Sequence, residues 1–144
     1  MILISHRGNI DGPHADENKP LHIENAISLG YDVEIDMWLV CGILYLGHDE
    51  PSYKIDYDFL LKDKLWIHCK NIEALLYLKE MRNMNNYFWH QEDDVTLTSN
   101  GFLWTYPGKY LTKYSIAVMP ETKTFDNISI SYGICSDYIK NYKK

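Results

Sequence analysis

Two short motifs hold most of the side chains of this chain that could do chemistry. His6-Arg7-Gly8 closes an apolar-leaning stretch, and Glu34-Ile35-Asp36 lies inside a second one, residues 31–40. Glu34 and Asp36 are two apart, so in a strand both carboxylates project from one face. Paired carboxylates on a buried face repel each other and resist desolvation unless a cation or an arginine neutralises them. A hard divalent ion bound through oxygen, Mg²⁺ or Ca²⁺, is the economical neutraliser; a solvated edge strand with two exposed acids is the alternative. His6 stands at a strand-to-loop boundary, where a general base would be placed, and Arg7 offers a planar fork of donors to a phosphate oxygen. Gly47-His48-Asp49 adds a second histidine. Taken singly, a histidine is more often a hydrogen-bonded structural residue than a catalytic one, and Gly-His-Asp commonly makes a turn.

These residues need a scaffold that brings chain segments far apart in sequence to one edge. Short apolar runs recur at 2–5, 32–39, 65–69, 87–90, 102–106, 115–119 and 131–135. Their lengths suit strands buried on both faces, as in parallel sheets. Between them, 20–29 reads as a helix that starts at Pro20 and stops at Gly30, and 72–81 as a helix capped by Asn71. Both serve as crossovers of βαβ units. Residues 41–48 alternate weakly around Gly42 and Gly47 and read as a hairpin. If the strands are parallel, the histidines, arginine and carboxylates emerge together at the sheet's carboxyl edge, where α/β proteins keep their chemistry. The expected fold is therefore α/β: one domain over residues 1–144, a compact, trimmed TIM-type (β/α) barrel of mostly parallel strands in which several helices are replaced by loops or lost.

Composition narrows the function. A chain of 144 residues is about one domain and falls below the roughly 250 of an ordinary eight-fold barrel. Hydrophobic content of 46% beside 24% charged residues is that of a globular protein. The net charge of −6 opposes a phosphate-tracking surface, so nucleic acid is a poor substrate, whereas a small phosphorylated ligand is compatible. Cys41, Cys69 and Cys135 show no paired or zinc-binding spacing, which suits a reduced, cytoplasmic setting. Met1 leads straight into Ile2-Leu3-Ile4 without a basic region or cleavage site, and no stretch approaches about 18 apolar residues, so neither a signal peptide nor a membrane span is expected. Uncovered sheet edges would favour a homo-oligomer.

Taken jointly, His6-Arg7-Gly8, Glu17-Asn18, the run from Gly30 to Asp36 and Gly47-His48-Asp49 resemble the glycerophosphodiester phosphodiesterases, and more distantly the phosphatidylinositol-specific phospholipase C-like barrels. The match is close over the first 49 residues. Beyond them, Trp66-Ile67-His68-Cys69-Lys70 looks like the family's third strand and Gly133-Ile134-Cys135-Ser136-Asp137 like its last. The resemblance implies a TIM-type barrel, a divalent metal and cleavage of a small phosphodiester in two acid/base steps. By position it makes His6 and His48 the acid/base pair, Arg7 a phosphate clamp, Glu34 and Asp36 metal ligands, and Lys70 a phosphate contact. Glu17 braces the site near the metal and the first histidine.

Two departures qualify the match. The family's third strand carries a glutamate ligand two residues before the lysine, and here that position is His68. An imidazole removes a negative charge and moves preference toward Mn²⁺ or Zn²⁺; His68 either ligates or merely hydrogen-bonds. The chain is also short, so later residues are candidates to complete the metal shell or bind substrate, His90 and Glu121 foremost. Three functions fit: a metal-dependent phosphoric diester hydrolase, a catalytically silent barrel that binds a phosphorylated molecule, and a hydrolase of another bond with Glu34, Asp36, His68 and His90 as its metal site.

Overall fold

The computed structural model describes residues 1–81 and 86–143. In it the strands are β1 (Ile2–His6), β2 (Asp32–Val40), β3 (Ile43–Leu46), β4 (Tyr53–Ile55), β5 (Leu65–Cys69), β6 (Asn86–Phe88), β7 (Val95–Leu97), β8 (Leu103–Thr105), β9 (Ser115–Val118) and β10 (Gly133–Ser136). The helices are α1 (Pro20–Ser28), α2 (Tyr57–Leu60) and α3 (Ile72–Glu80), with short 3₁₀ turns at Ile128–Ile130 and Ile139–Tyr142. Each expected apolar run forms a strand. The unexpected strands, β4 and β7, are three-residue pieces at the margins of the sheet.

Local chemistry explains the boundaries. Proline at the start of α1 presets its first turn, and Asn71 caps α3 by accepting from the Ala74 N–H at 3.2 Å. The Asp56 carboxylate does the same for α2, accepting from the Phe59 N–H at 3.0 Å. Cys41 and Gly42 both have positive φ, 50° and 76°, as the two-residue turn joining β2 to β3 requires.

One sheet holds all ten strands. Its spine runs β6, β5, β2, β1, β10, β9, β8, every neighbour in that series parallel. β2 is long: residues 32–34 pair with β1, and the segment beyond peels away to pair antiparallel with β3, which pairs antiparallel with β4. At the other end β7 is antiparallel to β8.

The trimmed TIM-type barrel is therefore overturned. The protein is a strand-rich, curled mixed sheet that forms a half-barrel, with few helices. A barrel of that type needs a helix after each strand to cover its outer surface and hydrogen bonds to close its ends. Here α1 and α3 are the only crossovers of helical length among the described residues, and β6 and β8 are not paired with each other. The outer face of β1, β9 and β10 is covered instead by Leu111, Phe125, Ile128 and Ile139 from loops and 3₁₀ turns, packed on Leu3, Ala117 and Ile134. A second core lies between α1, α3 and the β2, β3 and β5 strands.

No described helix is long and apolar enough to cross a membrane. Cys69 and Cys135 are buried free thiols, and Cys41 is an exposed one.

Candidate active site

Strand alternation divides the inner face of the curl into two layers. Ile4, Trp66, Phe88, Trp104, Ile116, Val118 and Cys135 form a buried apolar floor. Two residues further along their strands come His6, His68, His90, Tyr106 and Asp137, and β2 contributes Glu34 and Asp36. The carboxyl edge thus carries a polar layer directly above an aromatic one. His68 stacks on Phe88 with ring centroids 5.2 Å apart, and Phe88 stacks on Trp104 at 4.6 Å, bridging the ends of the sheet that hydrogen bonds leave open.

His6 is held by β10, the neighbour of β1. Its Nδ1 donates to Asp137 Oδ1 at 2.7 Å, because an ionised carboxylate can only accept. The Nε2 of the neutral ring is then a lone pair, 3.9 Å from Glu34 Oε2. Burial works against a charged His6, but the Asp137 hydrogen bond and the Glu34 charge outweigh it and raise its pKa. Burial likewise opposes ionised Asp137, yet its hydrogen bond and charge attraction to His6, with help from Asn9, lower its pKa. The network continues outward: Asn9 Nδ2 donates to Asp137 Oδ1 at 2.7 Å and to Glu17 Oε1 at 2.8 Å, and Arg7 Nη1 donates to Glu17 Oε2 at 3.1 Å.

Asp36 is 0% exposed and is the centre of charge. Asn18 grips it twice, donating from Nδ2 to Oδ2 at 2.8 Å and accepting the Asp36 N–H at 2.9 Å. Arg7 and Asn18 both adopt positive φ, 54° and 62°, and the Asn18 N–H donates to the Arg7 carbonyl at 3.0 Å. Non-glycine residues in that region cost free energy that surrounding contacts must offset, a pattern concentrated at functional sites. Arg7 Nε lies 2.9 Å from Asp36 Oδ2, Lys70 Nζ 3.6 Å and His68 Nδ1 3.1 Å from Oδ1. Burial alone would favour the neutral acid; His68, Arg7 and Lys70 together hold its pKa well below the usual carboxylate range.

Three buried atoms here make no hydrogen bond among the described residues: Arg7 Nε, Glu34 Oε2 and Asp36 Oδ1. The short Arg7 and His68 contacts to Asp36 are charge contacts without the alignment of a hydrogen bond. Orphaned buried polar atoms are rare and call for an explanation such as an ion. Ligand atoms of Glu34, Asp36 and His68 lie within 4.8 Å of one another, a spacing that suits a metal. The His68 tautomer suits one as well. Its Nε2 lies 2.8 Å from the His90 carbonyl oxygen, which only accepts, so Nε2 carries the hydrogen and Nδ1 turns its lone pair to the carboxylates. A backbone carbonyl behind the ring is the usual support of a metal-bound histidine. Without a metal the same position draws a proton: burial opposes it, but Asp36 and Glu34 push the His68 pKa up to about 9.

The site opens into a cleft of about 680 Å³ lined by His6, Arg7, Glu34, His48, His68, Lys70 and His90 on one side and by Tyr106, Lys109, Thr122 and Lys123 on the other. His48 stands at the mouth, its side chain 42% exposed and its Nδ1 donating to Asp49 Oδ1 at 2.7 Å. His90 faces the cleft, but its Nε2 donates to the Asp93 carbonyl at 2.6 Å, and it lies outside the metal-capable group. Burial and the nearby His68 charge lower its pKa. Glu17 sits behind Arg7 rather than in the cleft. Glu121 is exposed and does not line it; it accepts from Ser136 Oγ at 3.0 Å and from the Asp137 N–H at 2.9 Å, so it fixes the end of β10 that carries Asp137.

Sequence reasoning had not assigned Asp137, Asn9 or Asn18 a role. Asp137 follows directly on an apolar run, one residue past the end of β10, much as His6 closes β1, and that placement is the available signal.

The class this geometry defines is a half-barrel with a histidine–aspartate pair beside a metal-capable carboxylate cluster. No family model matches the chain, and neither a curated protein nor a solved structure matches it.

Proposed function

We propose that the cleft hydrolyses a small phosphodiester of the glycerophosphodiester type and uses a divalent ion. The observation that carries this function is the trio of buried atoms without a hydrogen bond among the described residues, Glu34 Oε2, Asp36 Oδ1 and Arg7 Nε, beside a histidine whose free nitrogen faces the same space. Glu34, Asp36 and His68 Nδ1 would hold the ion, which when bound supplies positive charge to phosphoryl oxygens. Two anionic ligands and an imidazole admit Mg²⁺ or Ca²⁺, and the nitrogen moves preference toward Mn²⁺ or Zn²⁺.

The chain's own groups account for the rest. Arg7 and Lys70 attract the diester and meet charge that grows on its oxygens. His6 Nε2 takes a proton from the nucleophile, a water or a neighbouring substrate hydroxyl, as its oxygen bonds to phosphorus. Asp137 stabilises the resulting imidazolium and keeps the ring in the productive tautomer. His48, partly exposed at the mouth with Nδ1 held by Asp49, gives a proton from Nε2 to the alkoxide leaving from phosphorus.

Turnover of bis-p-nitrophenyl phosphate tests the assignment. His6→Ala and His48→Ala are each expected to lower kcat by about 10²–10⁴ with an unchanged circular dichroism spectrum; full turnover in both would sink it. EDTA should stop the reaction and a divalent ion restore it.

A second reading is a binder without turnover. It is favoured by the ability of charged His68 to neutralise Glu34 and Asp36 with no metal at all. Calorimetric titration separates the two, since a silent binder takes phosphate esters and shows no tight divalent site.

A further inference from the structure

The wall of the cleft opposite the carboxylates plays no part in the chemistry above, and its composition points to a ligand. It is built from the turns that follow β8 and β9, so it shares the carboxyl edge with the histidines. The chain carries a net charge of −6, yet the cleft lining presents Arg7, Lys70, Lys109 and Lys123 against the single carboxylate Glu34. Arg7 and Lys70 already face Asp36. Lys109 pairs with the exposed Asp94 at 2.6 Å. Lys123 has no ion pair and no hydrogen bond among the described residues.

Backbone geometry gives the lysine pair a fixed base. Gly108 has φ +71°, and a Cβ there would meet the Lys123 Cδ at 2.6 Å and Cγ at 2.7 Å. The bare glycine therefore lets the Lys123 stem lie across the turn that also carries Lys109. The second turn is pinned by Thr122, whose N–H and hydroxyl both donate to the Met119 carbonyl, at 3.0 and 2.8 Å. A cleft of about 680 Å³ also exceeds the needs of one phosphodiester group, since sites for whole small molecules begin near 300 Å³.

We infer that Lys109 and Lys123 form a second anion subsite, so that the substrate is a phosphodiester carrying a further anionic group, such as a phosphate, on one of its arms. This rests on the proposed diesterase function for the word substrate, but its test does not need turnover. Glycerol 2-phosphate and glycerol 1,3-bisphosphate are titrated calorimetrically into the full chain in EDTA. The bisphosphate should bind about tenfold more tightly, the size expected of two partly exposed ion pairs. Lys109→Ala/Lys123→Ala should bring that ratio to about one, and the double arginine variant should keep it. Lys54→Ala/Lys113→Ala, with the same charge change elsewhere, should keep it too. Equal affinities in the wild type, an unchanged ratio in the double alanine variant, or an equal loss in the Lys54/Lys113 control would each overturn the subsite. Absence of diester hydrolysis would overturn the proposed reaction and leave this ratio standing.

Discussion

The two walls of the cleft handle charge in opposite ways. On the β1, β2 and β5 side, Glu34 and Asp36 are almost wholly buried, and Arg7, His68, Lys70 and Asn18 converge on them at 2.8–3.7 Å. On the β8 and β9 side, Lys109 meets an exposed aspartate and Lys123 meets none among the described residues. Desolvated charges interact strongly and tolerate little rearrangement, whereas solvated ones contribute little to stability and can take new partners. The first wall fixes its charges on one another, and the second leaves its lysines in solvent, able to take new partners.

Removing charge from each wall in turn tests that contrast most sharply. Asp36→Asn leaves Arg7, His68 and Lys70 without their shared counter-charge and should cost about 3–5 kcal/mol in urea denaturation. Asp94→Asn breaks the Lys109 pair and should cost less than about 1 kcal/mol. Equal costs would erase the distinction.

The pH dependence of the metal-free protein should show the same asymmetry. His68 has a folded-state pKa raised to about 9. Its contribution is therefore fully present below the unfolded value near 6.5 and is lost as pH rises through about 9. Stability in EDTA should fall by about 3 kcal/mol across that window, and His68→Ala should flatten the slope. Asp36, whose folded pKa is lowered, acts at the other end: its contribution holds above the ordinary carboxylate range and disappears as pH drops below it.

Asp137→Asn probes the link from wall to base. It removes the charge that holds Nδ1–H of His6, so kcat toward a diester should fall by about 10². The pH at which His6 titrates, followed by NMR, should move down. An unmoved titration would make Asp137 a merely structural neighbour. Gly108→Ala should have a comparably small effect, no more than about 1 kcal/mol of strain at a positive φ, together with a displaced Lys123 and a reduced preference for the bisphosphate.

Much of the first wall was legible because strand periodicity alone sends Glu34 and Asp36 to one face and sets His6 at a strand end. The partner of His6 was not, since Asp137 reaches it only through the pairing of β1 with β10, from residues 131 positions away. His90 and Glu121 show why loops resist this reasoning. The carbonyl of His90, rather than its ring, orients His68, and Glu121 turns back to the β10 terminus because Ser136 and Asp137 offer it donors. The strands were foreseen but their closure was not: an apolar run reads alike whether its sheet curls halfway or seals. Closure depends on connections, and here loop residues such as Leu111 and Ile128 cover what helices would have covered.

The stacking of a polar layer on an aromatic floor along the same strands separates two kinds of change. A substitution at Glu34 changes the charge of the polar layer while Trp66, Phe88 and Trp104 stay packed on one another, whereas one at Phe88 opens a cavity beneath His68, which stacks on it. New chemistry could thus be tried on this scaffold one rung at a time, leaving until last Asp36 and His68, the rungs that also carry stability.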